Sequence, residues 1–412
     1  MSGPAAQRPL AGVRICLVFE HSLSHYSRLL TEIRGLQEAG AEVSLLTSYS
    51  IHEEPPPGVT VHRAPLVSTT GTERIPASEL RWRPARIADN TLRKPLRYLL
   101  NTLFTRKIRE GRRAALRSLS ETTNVFWVID FPGLASTLEV ARPRQVPVVY
   151  ETVDLVPEYP YRGERYRRRA LAAERSLISQ VAGFITACES YADYYMGRYG
   201  RVIKRPPVVR DNMPEHVAPT ARSAGTPLRL LFLGSLMFDR PISEILHAMS
   251  LVSAPVTLSI QGKNLLGEAP ARLLAELGID DRVRLLDPCP PESIVETASE
   301  YDVGIVALRG ENENERRAST SKLFTYMAAG LAVLASDLPG IASVVEKHEN
   351  GVLVVGMDPK TWAQAISELA TTSTREIDAM KERSLAAAGD YSWNLQRAAF
   401  IGEFTRALDT TD

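Results

Sequence analysis

The sequence predicts an α/β chain built as two doubly wound domains that face each other across a cleft. Three observations carry this expectation. Short apolar runs rich in Val, Ile and Leu alternate with amphipathic segments of helical length, the pattern of βαβ units feeding a parallel sheet. The alternation breaks once, in the Pro/Ala/Gly/Ser-rich stretch Pro214–Pro227, and then restarts. A chain of 412 residues also exceeds what one ordinary core serves.

In the first array, Arg14-Ile-Cys-Leu-Val-Phe-Glu20 reads as a strand, about Ser24–Ala39 as a helix closed by Gly40, and Glu42-Val-Ser-Leu-Leu-Thr47 as the next strand. Right-handed crossover makes these two strands parallel. Asn124–Ile129, Pro147–Tyr150 and Gly183–Ala187 continue the array. In the second, the strand Leu228–Gly234 leads to a helix over Ser243–Val252, then to strands at Val256–Gln261, Val283–Leu286 and Asp302–Leu308. A helix near Ile341–Lys347 and the turn Asn350-Gly351 bring the chain into Val352–Val355. The expected division is a flexible tail over Met1–Gly12, a domain over 13–213, a linker over 214–227, a domain over 228–390 and a terminal helix over 391–412. No repeat of 20–50 residues and no low-complexity tract interrupts it.

Composition narrows the function classes. Apolar residues make up 44% and charged residues 24% of the chain, as in soluble globular proteins, and the formal net charge of +1 gives no chain-wide case for nucleic acid as a partner. Cys16, Cys188 and Cys289 lie far apart, with neither metal-ligand spacing nor an even disulfide set, which favours a reducing, cytoplasmic setting. No apolar stretch approaches the roughly 20 residues that span a bilayer. Met1–Gly12 lacks the apolar core of a signal peptide.

The most informative segment is Ser319-Thr320-Ser321-Lys322-Leu323-Phe324-Thr325-Tyr326-Met327-Ala328-Ala329-Gly330, running into Leu331–Asp337. It reads as a short helix with three hydroxyl residues at its start, a glycine just past its end and a buried strand behind it. Unpaired N–H groups at such a start, with Lys322 beside them, suit a phosphate anion. Such an anion is worth roughly 0.3–1 kcal/mol when exposed. Gly234-Ser235-Leu236 ends a strand and Arg240 follows within a turn. A glycine there admits a ligand to the backbone, and Arg240 can pair with a phosphate oxygen. Gly234 is also consistent with an ordinary βα turn and Arg240 with a solvated charge. Gln261-Gly262-Lys263 ends the next strand on the same sheet edge and favours the functional reading.

Neither a Gly-x-Gly-x-x-Gly after the first strand nor a Gly-x-x-x-x-Gly-Lys-Ser/Thr occurs, which counts against dinucleotide and P-loop sites. His21 and His25 follow that strand, facing the cleft or capping the helix. Glu151 and Asp154, after the strand that ends at Tyr150, stand at the cleft rim, where they orient a hydroxyl, accept a proton or cap a helix. Asp130 ends the preceding strand with the same ambiguity. The segment Arg81–Arg117 interleaves twelve Arg and Lys with leucines and aromatics. It suits contact with an anionic membrane surface or an anionic acceptor, and equally a solvated helix face.

With these residues in place, the chain resembles the retaining glycosyltransferases of the GT-B fold, family-four type (glycosyltransferase group 1), with two Rossmann-like domains. Phe232–Leu236 with Arg240, Lys322–Gly330, Ser336-Asp337-Leu338-Pro339-Gly340 and Asn350-Gly351 carry the likeness in the second half. His25-Tyr-Ser-Arg28, Thr186–Asp193, Asp211–Pro214 and Tyr391-Ser-Trp393 carry it elsewhere. The resemblance implies a nucleotide-diphosphate sugar donor on the C-terminal domain, an acceptor on the N-terminal one, and no required metal or other cofactor. It puts Arg240 in the place of a diphosphate-binding lysine, and gives Lys322 and the N–H groups of about Ser321–Leu323 the distal phosphate.

Four positions depart from the family. Ser235 stands for an arginine, Thr325 for the glutamate that binds the ribose, Ser343 for a further glutamate and Val153 for a histidine near the sugar. The favoured reading is a retaining transferase in which Arg240 and Lys322 stabilise the departing diphosphate. A non-catalytic, glycosyltransferase-like subunit that binds a partner or a nucleotide is the alternative. A third reading keeps the enzyme and gives it a small specialised-metabolite acceptor.

Overall fold

A computed structural model describes residues 8–19, 27–47, 55–64, 109–159, 163–237 and 240–410. The first sheet has seven strands: β1 (Arg14–Val18), β2 (Glu42–Thr47), β3 (Thr60–Arg63), β4 (Val125–Ile129), β5 (Val148–Thr152), β6 (Gly183–Thr186) and β7 (Val208–Val209), in the order β3-β2-β1-β4-β5-β6-β7. The second has six: β8 (Leu228–Leu233), β9 (Val256–Gln261), β10 (Val283–Leu286), β11 (Val303–Val306), β12 (Ala332–Ser336) and β13 (Gly351–Val354), in the order β10-β9-β8-β11-β12-β13. Every described pairing is parallel. The winding direction reverses between β1 and β4 and again between β8 and β11. Ligands of such sheets bind at the carboxyl ends of the strands beside that switch.

Helices cover both faces. In the first half these are α1 (Ser27–Glu38), α2 (Phe131–Ala141), α3 (Glu164–Ile178) and α4 (Glu189–Tyr199), with residues 109–119 also helical. The second half has α5 (Ile242–Leu251), α6 (Ala269–Leu277), α7 (Ile294–Ala298), α8 (Glu313–Arg317), α9 (Ser321–Ala328), α10 (Pro339–His348), α11 (Pro359–Thr371) and α12 (Thr374–Ala388). Helix coverage on both faces explains why β4 and β12 are buried at every position and read as unbroken apolar runs.

The last helix, α13 (Trp393–Asp409), returns to the first sheet and packs beside β6 and β7. Phe400 and Phe404 each stand edge-on to Trp127, with ring centroids 5.7 Å apart. Glu403, buried in that contact, accepts from the Phe184 N–H and from Arg205 Nη2, both at 2.9 Å. Among the described residues no helix is long and apolar enough to cross a membrane.

The fold corrects the sequence reading in several places. Leu10 is fully buried and its N–H donates to the Ala39 carbonyl at 3.0 Å, so the ordered chain begins before residue 13. Apolar space between α1 and β2 accounts for this. Strand β5 runs on to Thr152, beyond Tyr150, because Val148–Thr152 are all buried. The short strands β3 and β7 and the five-residue helix α8 carry too few apolar residues to show periodicity.

A buried carboxylate of α3 faces α4 and makes no ion pair among the described residues. Glu174 accepts from the Tyr195 hydroxyl at 2.9 Å and the Tyr199 hydroxyl at 3.1 Å. Burial pushes its carboxyl up to about 7, and the tyrosine bonds only partly oppose this. An acid whose folded pKa is raised holds its proton better folded than unfolded, so its contribution to stability falls as pH rises from 4.5 toward 7. The midpoint of urea unfolding should therefore decline between pH 5 and pH 8 by more in the wild type than in Glu174→Gln, which keeps an acceptor and removes the charge. Equal pH profiles in the two proteins would refute this role for Glu174.

Candidate active site

The carboxyl edge of the second sheet brings three segments together. Gly234 follows β8, and its N–H donates to the Gln261 carbonyl at 2.9 Å. Gly262 follows β9 and lies so close that an added Cβ would stand 2.1 Å from the Gly234 carbonyl oxygen. A side chain there would force the two loops apart. The third segment is the start of α9. Tyr326 fixes its position: its hydroxyl accepts from the Leu233 N–H at 2.8 Å and donates to the Ile305 carbonyl at 3.2 Å. Its ring covers Gly304, where a Cβ would meet it at 2.2 Å. Gly330 closes the segment after α9 at φ 70°, a conformation suited to glycine.

These constraints aim the start of α9 at Gly234. A Cβ built on Gly234 would lie 3.5 Å from Lys322 Cε. Gly234, Arg240, Thr320 and Lys322 line one narrow pocket of about 20 Å³, floored by Ile305–Leu308. Thr320 is the N-cap residue, yet its side chain makes no capping bond. Its Oγ1 is buried without a hydrogen-bond partner among the described residues. A pocket with two cations, a helix start and an unused hydroxyl suits an oxyanion. A larger pocket of about 740 Å³, lined by Val345, Glu346, Gly351, Leu353, Met380 and Arg383, opens where β13 begins. It lies at the opposite, amino-terminal edge of the sheet.

Other predicted residues of this end are placed differently. Leu323 is fully buried and contributes only main chain. Ser319 Oγ donates to the Gly340 carbonyl at 2.6 Å. Thr325 Oγ1 donates to the Ser321 carbonyl of its own helix at 2.9 Å. Ser321 and Ser235 are half-buried at the edge of the pocket region, and Lys263 is exposed.

Across the cleft, Asp130 caps the carboxyl end of β4 at φ 60° and ψ 163°, a strained conformation for a residue other than glycine. Its Oδ1 accepts from the Val153 N–H at 2.9 Å and the Asp154 N–H at 3.0 Å, shaping the turn after β5. Burial, and then the charge of Asp154, push its carboxyl up to about 8. Asp154 is half-buried on that turn. His21 and His25 lie outside the described residues, as does the basic segment before residue 109.

Glu151 does not stand at the cleft rim. It is fully buried within β5, where it pairs with Arg28 of α1 and accepts from Trp127 Nε1 at 2.9 Å. Burial pushes its carboxyl up, while Arg28 draws it partly back. Arg28 Nε also reaches Glu32 at 2.6 Å, and Arg210 Nε lies 3.4 Å from the same carboxylate. The strand register explains the difference, because Glu151 precedes the end of β5 and its cation Arg28 lies more than a hundred positions earlier in the chain. The sequence reading also missed Asn314 of α8, which bonds to the turn after β5. Its signal was present as Asn312 three residues before Glu315, and the structure shows that cap, with Asn312 Oδ1 accepting from the Glu315 N–H at 3.0 Å.

Comparison with known proteins agrees with this architecture. Residues 27–210 match the glycosyl transferase 4-like domain and residues 227–372 match glycosyl transferases group 1. Between them the two models cover most of the chain. A D-inositol 3-phosphate glycosyltransferase of Corynebacterium urealyticum is 35% identical over 138 residues, which is 34% of this chain and 31% of that protein. One of Thermobispora bispora is 26% identical over 246 residues, 56% of each chain. The matched part is thus about a third of the length of the first of these relatives and about half of the second.

Among solved structures, sucrose-phosphate synthase from Thermosynechococcus elongatus superposes with a TM-score of 0.70 at 16% identity, covering 97% of this chain and 100% of that one. Anabaena HepE in complex with UDP and glucose superposes with a TM-score of 0.63 at 13% identity, with the same coverage. At such identities the likeness establishes the fold. Together with the two domain models, it identifies the chain as a member of the group 1 glycosyltransferases, with the GT-B fold.

Proposed function

We propose that the chain transfers a sugar from a nucleotide-diphosphate donor to an acceptor with retention of configuration. The observation that carries this reading is the pocket at the carboxyl edge of β8, β9 and β11, where Arg240, Lys322, Thr320 and the start of α9 converge. Solved relatives in complex with UDP and with UDP-glucose support a uridine nucleotide as donor.

In this reading Arg240 and Lys322 hold the diphosphate together with the main-chain N–H groups of Ser321–Leu323, and Gly234 and Gly262 leave the backbone open to it. As the bond to the sugar breaks, negative charge grows on the leaving phosphate. Fixed cations and N–H donors stabilise that charge most effectively inside a closed cleft. The acceptor attacks from the face that the phosphate leaves, and the phosphate takes its proton. No protein nucleophile and no metal is required, since the two side-chain cations neutralise the diphosphate. Asp130 and Asp154 lie on the acceptor side.

The ribose contact differs from the family pattern, because the Thr325 hydroxyl is engaged with the Ser321 carbonyl. A small acceptor, of specialised metabolism, fits the altered sugar side at Val153. The free thiols Cys16, Cys188 and Cys289 support a cytoplasmic setting. Arg109 and Arg117, exposed at the described end of the basic segment, support contact with an anionic membrane surface.

A thermal-shift panel of UDP, GDP, ADP and TDP tests the donor. The nucleotide that binds should add about 2.7 kcal/mol of stability at 100 times its Kd. A flat response to all four would favour the non-catalytic subunit. Arg240→Ala should lower turnover at least tenfold, and EDTA should leave it unchanged; near-normal turnover of the variant would remove Arg240 from this role.

Gly262→Ala separates the loops on which the pocket rests. It should weaken nucleotide binding at least about tenfold while the variant stays folded, because the clash is confined to two loop positions. Unaltered binding in the titration would show that the Gly234–Gly262 approach is not part of the site.

A further inference from the structure

Helix α8 lies between β11 and α9 in the chain, yet its polar contacts reach the opposite half of the molecule. Asn314 Oδ1 accepts from the Leu155 N–H and from the Tyr191 hydroxyl, both at 2.7 Å. Its Nδ2 donates to Asp154 Oδ1 at 3.2 Å. Leu155 and Asp154 belong to the turn that Asp130 shapes. Both ends of one amide are thus engaged with the acceptor side of the cleft.

The contact continues along the chain toward the phosphate pocket. The Arg317 guanidinium lies 5.3 Å from the Tyr194 ring centroid. The Cys188 thiol donates to the Arg317 carbonyl at 3.3 Å, and Ala318 packs on the apolar core beneath the first sheet. Ser319 comes next, and then Thr320, whose buried hydroxyl lines the pocket. Two residues, Ala318 and Ser319, separate the seat on the first half from the anion site on the second. Helix α8 is itself held firmly: Glu315 Oε2 accepts from the N–H of Gly310 at 2.9 Å and of Glu311 at 3.2 Å.

We propose that Asn314 is an interdomain latch, a positioning residue that couples occupation of the phosphate site at the start of α9 to closure against the Asp154–Leu155 turn and Tyr191. The coupling to a nucleotide rests on the transferase reading above, whereas the latch itself rests only on the contacts between the halves. Three hydrogen bonds of modest net strength hold it, one of them to the Asp154 carboxylate. A ligand shifts such an equilibrium by its differential affinity for the closed state.

Cys188 is the natural reporter of the latch. It is 1% exposed beneath Arg317, and burial pushes its thiol up to about 11. Opening returns it to solvent and to the ordinary thiol range, where alkylation is fast. Cys16 is fully buried in β1, and Cys289→Ser removes the remaining accessible thiol.

In that background, iodoacetamide labelling of Cys188 followed by intact mass should proceed at least about fivefold faster in Asn314→Ala than in the parent, with Tyr191→Phe in between. UDP should slow labelling of the parent at least about threefold and leave Asn314→Ala unprotected. Tyr191→Phe loses one hydroxyl and serves as the test if the first variant does not fold. Equal rates in the parent and both variants without nucleotide would overturn the latch. Unchanged labelling in the presence of a nucleotide that raises the melting temperature would overturn the coupling. If no nucleotide raises the melting temperature, the transferase reading fails alone, and the nucleotide-free rates still decide the latch.

Discussion

A buried ionic cluster ties the first sheet to the chain segment that leaves it and to the helix that returns to it. Arg28 of α1 meets Glu32 and Glu151, Arg210 meets Glu32, and the Arg210 guanidinium lies 4.8 Å from the Trp393 ring centroid. Asp211 closes the cluster by exchanging hydrogen bonds with Gln396, its N–H donating at 3.0 Å and its Oδ2 accepting at 2.7 Å. Burying such charges gains little net energy over apolar packing, but removing one partner strands the rest at a cost of about 3–5 kcal/mol. The cluster therefore acts chiefly through geometry. It joins α1, β5, the chain leaving the first sheet and the helix returning to it. Both crossings between the halves are held at one place.

This joint lets the two sides of the cleft be built by different means. The side at the start of α9 is set by rigid elements, with Tyr326 binding α9 to β8 and β11 and Gly262 allowing two loops to touch. The opposite side is set by a strained residue. Asp130 holds a backbone conformation that few side chains tolerate and orders the turn at Val153–Asp154 by accepting two N–H bonds. Strain of this kind persists where the surroundings over-determine it, and here the surroundings are the turn that meets Asn314. Pre-organisation on one side and a ligand-dependent contact on the other is an economical way to complete a site only on closure.

The two sheets and the helix at Ser321 were legible in the sequence because they rest on local signals: apolar runs, a glycine after each element and hydroxyl residues at a helix start. The meeting of Gly234, Gly262 and Lys322 at one sheet edge was legible for the same reason, since each follows a strand or opens a helix. Glu151 was misread because its surroundings are tertiary. Nothing near it in the chain announces Arg28 or Trp127. Asn314 escaped notice inside Glu311-Asn-Glu-Asn-Glu-Arg-Arg317, which looks like a solvated charge run until the opposite half is in place. Leu10 was missed because one apolar residue in a Pro/Ala/Gly-rich stretch has no periodicity.

The hydroxyls near the starts of α9 and α10 follow a common rule. Thr325 donates to the Ser321 carbonyl, Ser343 to the Gly340 carbonyl at 3.3 Å, and Ser319 to that same Gly340 carbonyl. Each is spent on the main chain, a short-range bond open to serine and threonine and closed to an ionised glutamate, which accepts only. The Thr325 and Ser343 hydroxyls therefore do not supply a weaker copy of the carboxylates that the resemblance implies there. Both make internal contacts instead. Thr320 is the exception, with a buried hydroxyl that no group among the described residues uses. What this end offers a ligand is then Thr320, two cations and backbone N–H groups, a set rich in donors that matches a phosphate, whose oxygens accept, better than a ribose diol, whose hydroxyls also need acceptors.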